Sequence, residues 1–304
     1  MKADVWFLYS GYVLEKKIKS GYIKQLVSKA KNEYNLILEA KSAHNFAITS
    51  GKENEIYYEG KKLNKEDLPK YVVMRRYEIY LGRQLELMGV KVFNNVQALT
   101  DARNKLKVHQ LLAQHNIPTP KTLYIIPKRT KVNSSYEQVV SYLGSNKFVL
   151  KWIYGSQGAH VYLVDNSKTY DELIKKYEGK VICQEYIESS YGKDIRAYVI
   201  GGKFIGAAMR KSTGGFKSNL ALGGDAVLYD YDERIVNIAL KAAKAVNLEI
   251  CGVDILLGKN DDYFVCEVNA VPGFKTVKRT SGMNEMDILL TLVKDKMKEE
   301  ENES

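Results

Sequence analysis

Histidine and cysteine are scarce in this sequence, with four and three residues among 304, and neither is arranged for metal binding. His44, His109, His115 and His160 form no pair at H-x-x-x-H spacing, which argues against a zinc site. Cys183, Cys251 and Cys266 are odd in number, lack C-x-x-C spacing and each fall in an apolar run, so buried free thiols are expected. No stretch approaches the roughly 18 apolar residues of a membrane helix, and no membrane partner is expected. The opening MKADVWFLYSGYVLEKK carries Asp4 within its apolar part and has no small-residue cleavage site. It is expected to form a first β-strand of a cytoplasmic protein. There is no arginine-rich tract, helix-turn-helix or RNP-type motif, so no nucleic-acid partner is expected. No Ser-His-Asp or Cys-His nucleophile arrangement is recognisable, and there is no internal repeat.

What is present is ordinary for a globular protein of two or three domains: 45% hydrophobic and 27% charged residues. The net charge of +10 favours anionic ligands such as nucleotides, acidic peptides or nucleic acids, without choosing among them. The lysines are scattered along helices, as on a solvated surface.

Residues 1–98 alternate strand and helix signals: ADVWFLY, IKQLVSKAKNEY, NLILEA, YVVMRR, YLGRQLELMG and VKVFN. This alternation predicts an α/β domain with a mainly parallel sheet, Gly89 closing the second helix. A Thr100-Asp101 cap is expected to open a helix with Leu106, Leu111 and Leu112 as its apolar stripe. Residues 99–295 read as a mixed α+β unit in two lobes, about 120–187 and about 188–295. DIRAYVIGG and KFIGAAMR flank a Gly-Gly hairpin turn. DERIVNIALKAAKAV carries Ile235, Ile238, Ala239, Ala242 and Val246 on one helical face. A last helix, NEMDILLTLVKDKM, leads into residues 296–304, which are expected to form a disordered tail.

The stretch VDILLGKNDDYFVCEVNAVPGF at 253–274 places polar residues among strand residues. In a strand, residues two apart share a face, so Glu267 and Asn269 project together, and the GKNDD turn brings Asp254 alongside. Three hard oxygen donors suit Mg²⁺, which takes one or two carboxylates and completes its shell with water and phosphate oxygens. The bland alternative is an exposed polar hairpin face. Other features accompany it. GSQGAHV at 155–161 follows an apolar strand, where glycines could fold backbone N–H groups over phosphate, or merely form a hairpin. Lys151 lies inside that strand and must snorkel or pair with an anion. QEYIE at 184–188 ends another strand, with backbone groups able to meet a flat heterocycle. GGFKSNLALGG at 214–224 follows Arg210 and reads as a mobile or simply long loop. Arg75, Arg76 and Arg83 are candidate acceptor contacts, with surface ion pairs an equal reading.

Taken in order, RNKLKVHQLLAQHNIPTPKT, VLKWIYGSQGAHV, QEYIE, KDIRAYVIGG, FKSNLALGG, GVDILL and CEVNAVPGF resemble the ATP-grasp carboxylate–amine ligases, specifically the RimK-type α-L-glutamate ligases. The resemblance covers nearly the whole chain, most specifically residues 100–275. It implies a pre-ATP-grasp α/β domain followed by two lobes that clamp ATP. It also implies that Lys105 and Lys151 hold phosphates under the loop of Gly155, Ser156, Gln157 and Gly158. Gln184, Glu185, Tyr186 and Ile187 would border the adenine, Asp194 the ribose or base edge. Asp254, Glu267 and Asn269 would ligate two Mg²⁺ ions, with Mn²⁺ able to substitute. Arg210 and Asn219 would serve catalysis, and Lys217, Ser218 and Asn219 the substrate loop. The implied reaction activates a carboxylate as an acyl phosphate and joins it to an amino acid, L-glutamate the leading candidate. Its partners are therefore an amino acid and a peptide, protein or small-molecule carboxylate, with homo-oligomerisation left open. Ring closure in a ribosomally made peptide is an alternative reaction, and RNA or ribosome binding through the basic surface an alternative function. The family commonly has arginine where this chain has Lys217, and serine where it has Val271. Both departures bear on the acceptor.

Overall fold

The computed structural model describes residues 2–126, 135–155, 159–177, 179–212, 214–216, 225–274, 276 and 282–303. Its first part contains β1 (Val5–Tyr9), α1 (Gly11–Lys19), α2 (Tyr22–Tyr34) and β2 (Leu38–Ser42), then a meander of β3 (Phe46–Thr49), β4 (Glu55–Tyr58) and β5 (Lys61–Leu63). β6 (Tyr71–Met74), α3 (Ile79–Leu87) and β7 (Lys91–Phe93) complete it. The main sheet has the order β2-β1-β6-β7 with every pair parallel. β1 and β6 are buried at every position because both faces of a parallel sheet are covered.

Two short helices follow, α4 (Val96–Ala102) and α5 (Lys105–Gln114). The expected cap moves: Thr100 and Asp101 lie inside α4, and the Asn104 side chain opens α5 by accepting from Lys107 N. Asparagine at that position satisfies an N–H that the helix leaves unpaired. The buried stripe of α5 is Val108, His109 and Leu112, with Leu106 and Leu111 only partly covered.

The next sheet is antiparallel, with β8 (Thr122–Ile125), β9 (Phe148–Trp152), β10 (Val161–Val164) and β11 (Val181–Glu185) in the order β10-β9-β11-β8. Phe148, Leu150, Val181 and Cys183 pack on α6 (Tyr136–Leu143) and α7 (Ser167–Lys176), forming a core separate from the rest of the molecule. Period-two alternation turns Val149, Lys151 and Gln184 to the opposite face.

The last sheet contains β12 (Lys193–Ile200), β13 (Lys203–Lys211), β14 (Asp225–Leu228), β15 (Ile250–Leu257) and β16 (Tyr263–Asn269), in the antiparallel order β14-β13-β12-β15-β16. Gly201 and Gly202 turn β12 into β13 at φ 56° and 71°, the left-handed pair of a type I′ hairpin. Ile195, Ala197, Val199, Val253 and Ile255 bury one face against α8 (Glu233–Ala245). The other face carries Asp194, Arg196, Arg210, Asp254, Glu267 and Asn269.

The chain closes with α9 (Glu285–Glu303). Residues 296–303 are helical, which corrects the expected disordered tail. Glu300 anchors the last turns through Lys70 at 2.6 Å and a closer pair with Lys91. Among the described residues no helix is long and apolar enough to cross a membrane.

Buried Asn94, just after β7, ties the parallel sheet to the last one. It donates to Ile250 O (2.7 Å) and Ala270 O (2.8 Å) and accepts from Ile250 N (2.7 Å). Asn94→Ala leaves these buried backbone groups unpaired and is expected to cost about 3 kcal/mol, read as a lower urea midpoint at unchanged slope.

Candidate active site

The two antiparallel sheets face each other across a cleft, and the charged face of the last sheet forms its floor. Asp194 on β12 stands opposite Arg210 on β13, and Arg196 opposite Asp254 on β15. Arg210 donates to both oxygens of Asp194, from Nε at 2.6 Å and Nη2 at 2.5 Å, and Nη2 also lies 2.9 Å from Asp254 Oδ2. Arg196 grips Asp254 from the other side, through Nη2 at 2.7 Å and a closer Nε contact. The result is a buried chain of alternating charge, Asp194, Arg210, Asp254, Arg196. Gly252 leaves room for it, since a Cβ there would lie 2.8 Å from Arg196 Cδ. Burial raises the Asp254 pKa, but Arg196 and then Arg210 outweigh it and hold the carboxyl below its usual range.

Glu267 pairs with Asp254 across β15 and β16, and Asn269 donates its amide N–H to Asp254 Oδ2 at 3.2 Å. The hairpin therefore brings the three oxygen donors together, as the strand alternation predicts. A bulge makes Cys266 an extra residue between the partners of Asp254 and Ile255. The bulge leaves Cys266 partly exposed beside the cleft, a correction to the expected buried thiol, while Cys183 and Cys251 are buried.

This donor set fits a magnesium ion. Asp254 Oδ2 receives three donors, whereas Oδ1 receives Arg196 Nε alone and keeps a lone pair. Asn269 commits its N–H₂ side to Asp254, leaving its carbonyl oxygen uncommitted among the described residues. The Glu267 carboxylate is 38% exposed, with Lys105 no nearer than 4.0 Å.

The opposite wall supplies cations. Lys151 is 8% exposed, and its ammonium has Cys266 Sγ at 3.4 Å as its polar contact among the described residues. Lys105, at the start of α5, donates to Gly155 O at 2.8 Å. Burial lowers the Lys105 pKa below the usual lysine value, neighbouring Lys151 adds to that, and Glu267 opposes it. Five cations, Lys105, Lys151, Lys193, Arg196 and Arg210, thus stand at or beneath the cleft against four carboxylates, Glu185, Asp194, Asp254 and Glu267. The cleft is short of one negative charge and calls for an anion.

Gln184, Glu185, Tyr186 and Ile187 border the same cleft where β11 ends. Asp194 also borders it, but both of its oxygens are held by Arg210, so the expected ribose contact is not free in this arrangement. Ser156, Gln157, Gly158, Lys217, Ser218 and Asn219 lie outside the described residues. Arg75 is buried against Glu285 (3.1 Å), Arg76 pairs with Glu78 (3.2 Å) and Arg83 with Glu86 (3.5 Å), which places the three arginines in ion pairs. Sequence reasoning missed Arg196 and His109. Arg196 had a usable signal, being a charged residue inside an apolar strand, like Lys151.

Known proteins match this chain at the level of family, sequence and fold. Residues 102–293 match the family model described as the RimK-like ATP-grasp domain. A protein of Vibrio atlanticus named probable alpha-L-glutamate ligase is 33% identical over 249 residues, covering 78% of this chain and 81% of its own. Among solved structures, D-alanine–D-alanine ligase from Bacillus anthracis complexed with ATP superposes with a TM-score of 0.70 at 14% identity, covering 99% of this chain and 100% of its own. The ATP-grasp ligase PsnB, complexed with a precursor variant, Mg and ADP, does so at 0.69 and 16%, covering 96% and 98%.

Removing one arginine from the buried chain leaves an uncompensated carboxylate. Arg196→Met is expected to cost about 3–5 kcal/mol in denaturant unfolding at neutral pH. Because the Asp254 pKa is depressed on folding, its contribution is complete above the ordinary carboxylate range and is lost as pH falls below it. The deficit of Arg196→Met relative to the parent should therefore shrink on acidification.

Proposed function

From the premise that this chain belongs to the RimK-like ATP-grasp family and is an ATP-dependent, amide-bond-forming ligase, we propose that it activates a carboxylate as an acyl phosphate and joins it to the amine of an amino acid, L-glutamate first. The observation that carries this reading is the buried Lys151 ammonium, which faces a cation-rich cleft without a carboxylate partner. A triphosphate supplies the missing charge. The name of the Vibrio atlanticus relative favours glutamate over ring closure.

A carboxylate is a poor electrophile, so amide formation requires a phosphoryl group on one of its oxygens. Lys105 and Lys151 hold the phosphates, and Arg210, buried beneath the cleft and paired with Asp194 and Asp254, acts on the negative charge that gathers during transfer through its field. Glu185, Tyr186 and Ile187 hold the base through strand-end backbone groups. Asp254, Glu267 and Asn269 would hold magnesium, two ions in our reading, which neutralises phosphate oxygens and orients them. The amine then attacks the acyl carbon, its proton leaves to solvent and phosphate departs. Loop residues Lys217, Ser218 and Asn219 act on the acceptor, and Asn219 with Arg210 steadies the tetrahedral oxyanion. A hinge near residue 187, between separately cored lobes of 120–187 and 188–295, would close over the substrates.

ADP release should depend on Mg²⁺, a carboxylate and an amino acid together, with product mass identifying the amide. Glu267→Gln is expected to lower the rate at least about 100-fold, because charge is lost at the metal. Its unfolding free energy should stay within about 0.5 kcal/mol, as for a partly exposed side chain. Release indifferent to the amine would contradict ligation.

A further inference from the structure

Behind the cleft a buried polar relay joins the two antiparallel sheets, and the proposed chemistry does not use it. The apolar clusters behind the sheets are separate, so polar contacts of this kind hold one sheet against the other. Helix α5 belongs to the cluster of the last sheet through Val108 and Leu112. It also reaches the sheet of β9 and β11 twice. Lys105 N donates to Ile153 O at 3.1 Å, and one turn later His109, 4% exposed, has its Nε2 2.7 Å from Gln184 Nε2 on β11. On the other side of the ring, Nδ1 lies 2.6 Å from Thr119 Oγ1, which donates to Val265 O on β16 at 2.8 Å. Both ends of the relay stand close to residues assigned to the nucleotide. Val265 comes two residues before Glu267 on β16, and Gln184 is the register partner of Val149, two residues before Lys151 on β9.

Proton counting gives the relay a direction. A hydroxyl has a single proton, and that of Thr119 goes to Val265 O, so Thr119 accepts from His109 and the imidazole proton sits on Nδ1. Burial, assisted by Lys151 and then Lys105, pushes the His109 pKa down to about 3, so the ring stays neutral at physiological pH and Nε2 is bare. Nε2 therefore accepts from the Gln184 amide, whose other N–H goes to Thr122 Oγ1 at 2.7 Å, because Thr122 spends its own proton on Pro120 O. Every bond between Gln184 and β16 then points the same way, from Gln184 through His109 and Thr119 to Val265 O.

We propose that His109 is a positioning residue: its neutral, Nδ1-protonated imidazole braces β11 against β16 and so sets the spacing between Lys151 on one sheet and Glu267 on the other. The inference rests on the reading that a nucleotide and magnesium occupy this cleft. Phosphates held by Lys151 on one wall and by a metal on the other feel any change in that spacing, and a misplacement of about 1 Å can cost on the order of 100-fold in rate. Hydrogen bonds suit this task because they are directional, whereas apolar surfaces can slide past one another.

The test measures ADP binding to the full chain by calorimetry, with Mg²⁺ and with EDTA in its place, in the parent, His109→Met and His109→Gln. Lys151 lies on one wall and the metal donors on the other, so the gain in ADP affinity on adding Mg²⁺ reports the spacing between them. Methionine preserves bulk and removes both hydrogen bonds, while glutamine offers an N–H to Thr119 and a carbonyl oxygen to Gln184. His109→Met should reduce the Mg²⁺ gain about tenfold, the scale of one hydrogen bond, and leave metal-free ADP affinity within about twofold. His109→Gln should restore the gain. An unchanged gain in folded His109→Met, or one that falls only together with the metal-free affinity, overturns the proposal while the ligase reading stands. Should His109→Met fail to fold, ¹⁵N NMR of the parent decides: a proton on Nδ1 supports the brace, and one on Nε2 overturns it. A parent that binds no ADP, or gains nothing from Mg²⁺, removes the nucleotide and metal reading and this proposal with it.

Discussion

One buried carboxylate, Asp254, held between Arg196 and Arg210, is the constraint around which the site is built. A lone carboxylate on this covered sheet face would be protonated or would destabilise the fold. Two guanidiniums keep it ionised, and Asp194 compensates the second of them. The charge balance lets an anionic oxygen remain deep in the protein beside Glu267 and Asn269. A cation can therefore be met from one side while the arginines serve the other.

Sheet alternation translates this local chemistry into architecture. Each antiparallel sheet buries one face on helices and turns the other to the cleft, so two short-period patterns meet face to face. The cores behind the two faces are separate clusters. Lys151 and Gln184 therefore belong to one buried cluster's sheet and Asp254 to the other's, and the two sheets meet through contacts such as Lys151 Nζ to Cys266 Sγ. Asn94 and α9 tie the parallel sheet to the sheet that carries Asp254.

Much of this was legible from strand period alone. Asp254, Glu267 and Asn269 share a face because strand side chains alternate, and Lys151 stood out as a charge in an apolar run. Arg196 was equally anomalous, a charge inside the apolar strand DIRAYVI. The meander of β3 to β5 escaped notice because its strands are only three or four residues long and almost wholly exposed or half-buried, Ile56 excepted. The ordered end of α9 was hidden because its anchor joins Glu300 to lysines more than 200 residues away. His109 gave no sequence signal, because its contacts with Thr119 and Gln184 join residues distant in the chain. The family belongs to the part read correctly, through seven weak motifs in a fixed order.

The central claim is that the hairpin oxygens meet the nucleotide's terminal phosphates through shared divalent ions. A crystal structure with Mn²⁺ and a non-hydrolysable ATP analogue tests it most directly, because anomalous scattering locates the ions. The account predicts peaks bounded by Asp254, Glu267 and Asn269 on one side and phosphate oxygens on the other. Manganese bound elsewhere, with Glu267 facing solvent and the phosphates remote from the hairpin, would contradict it.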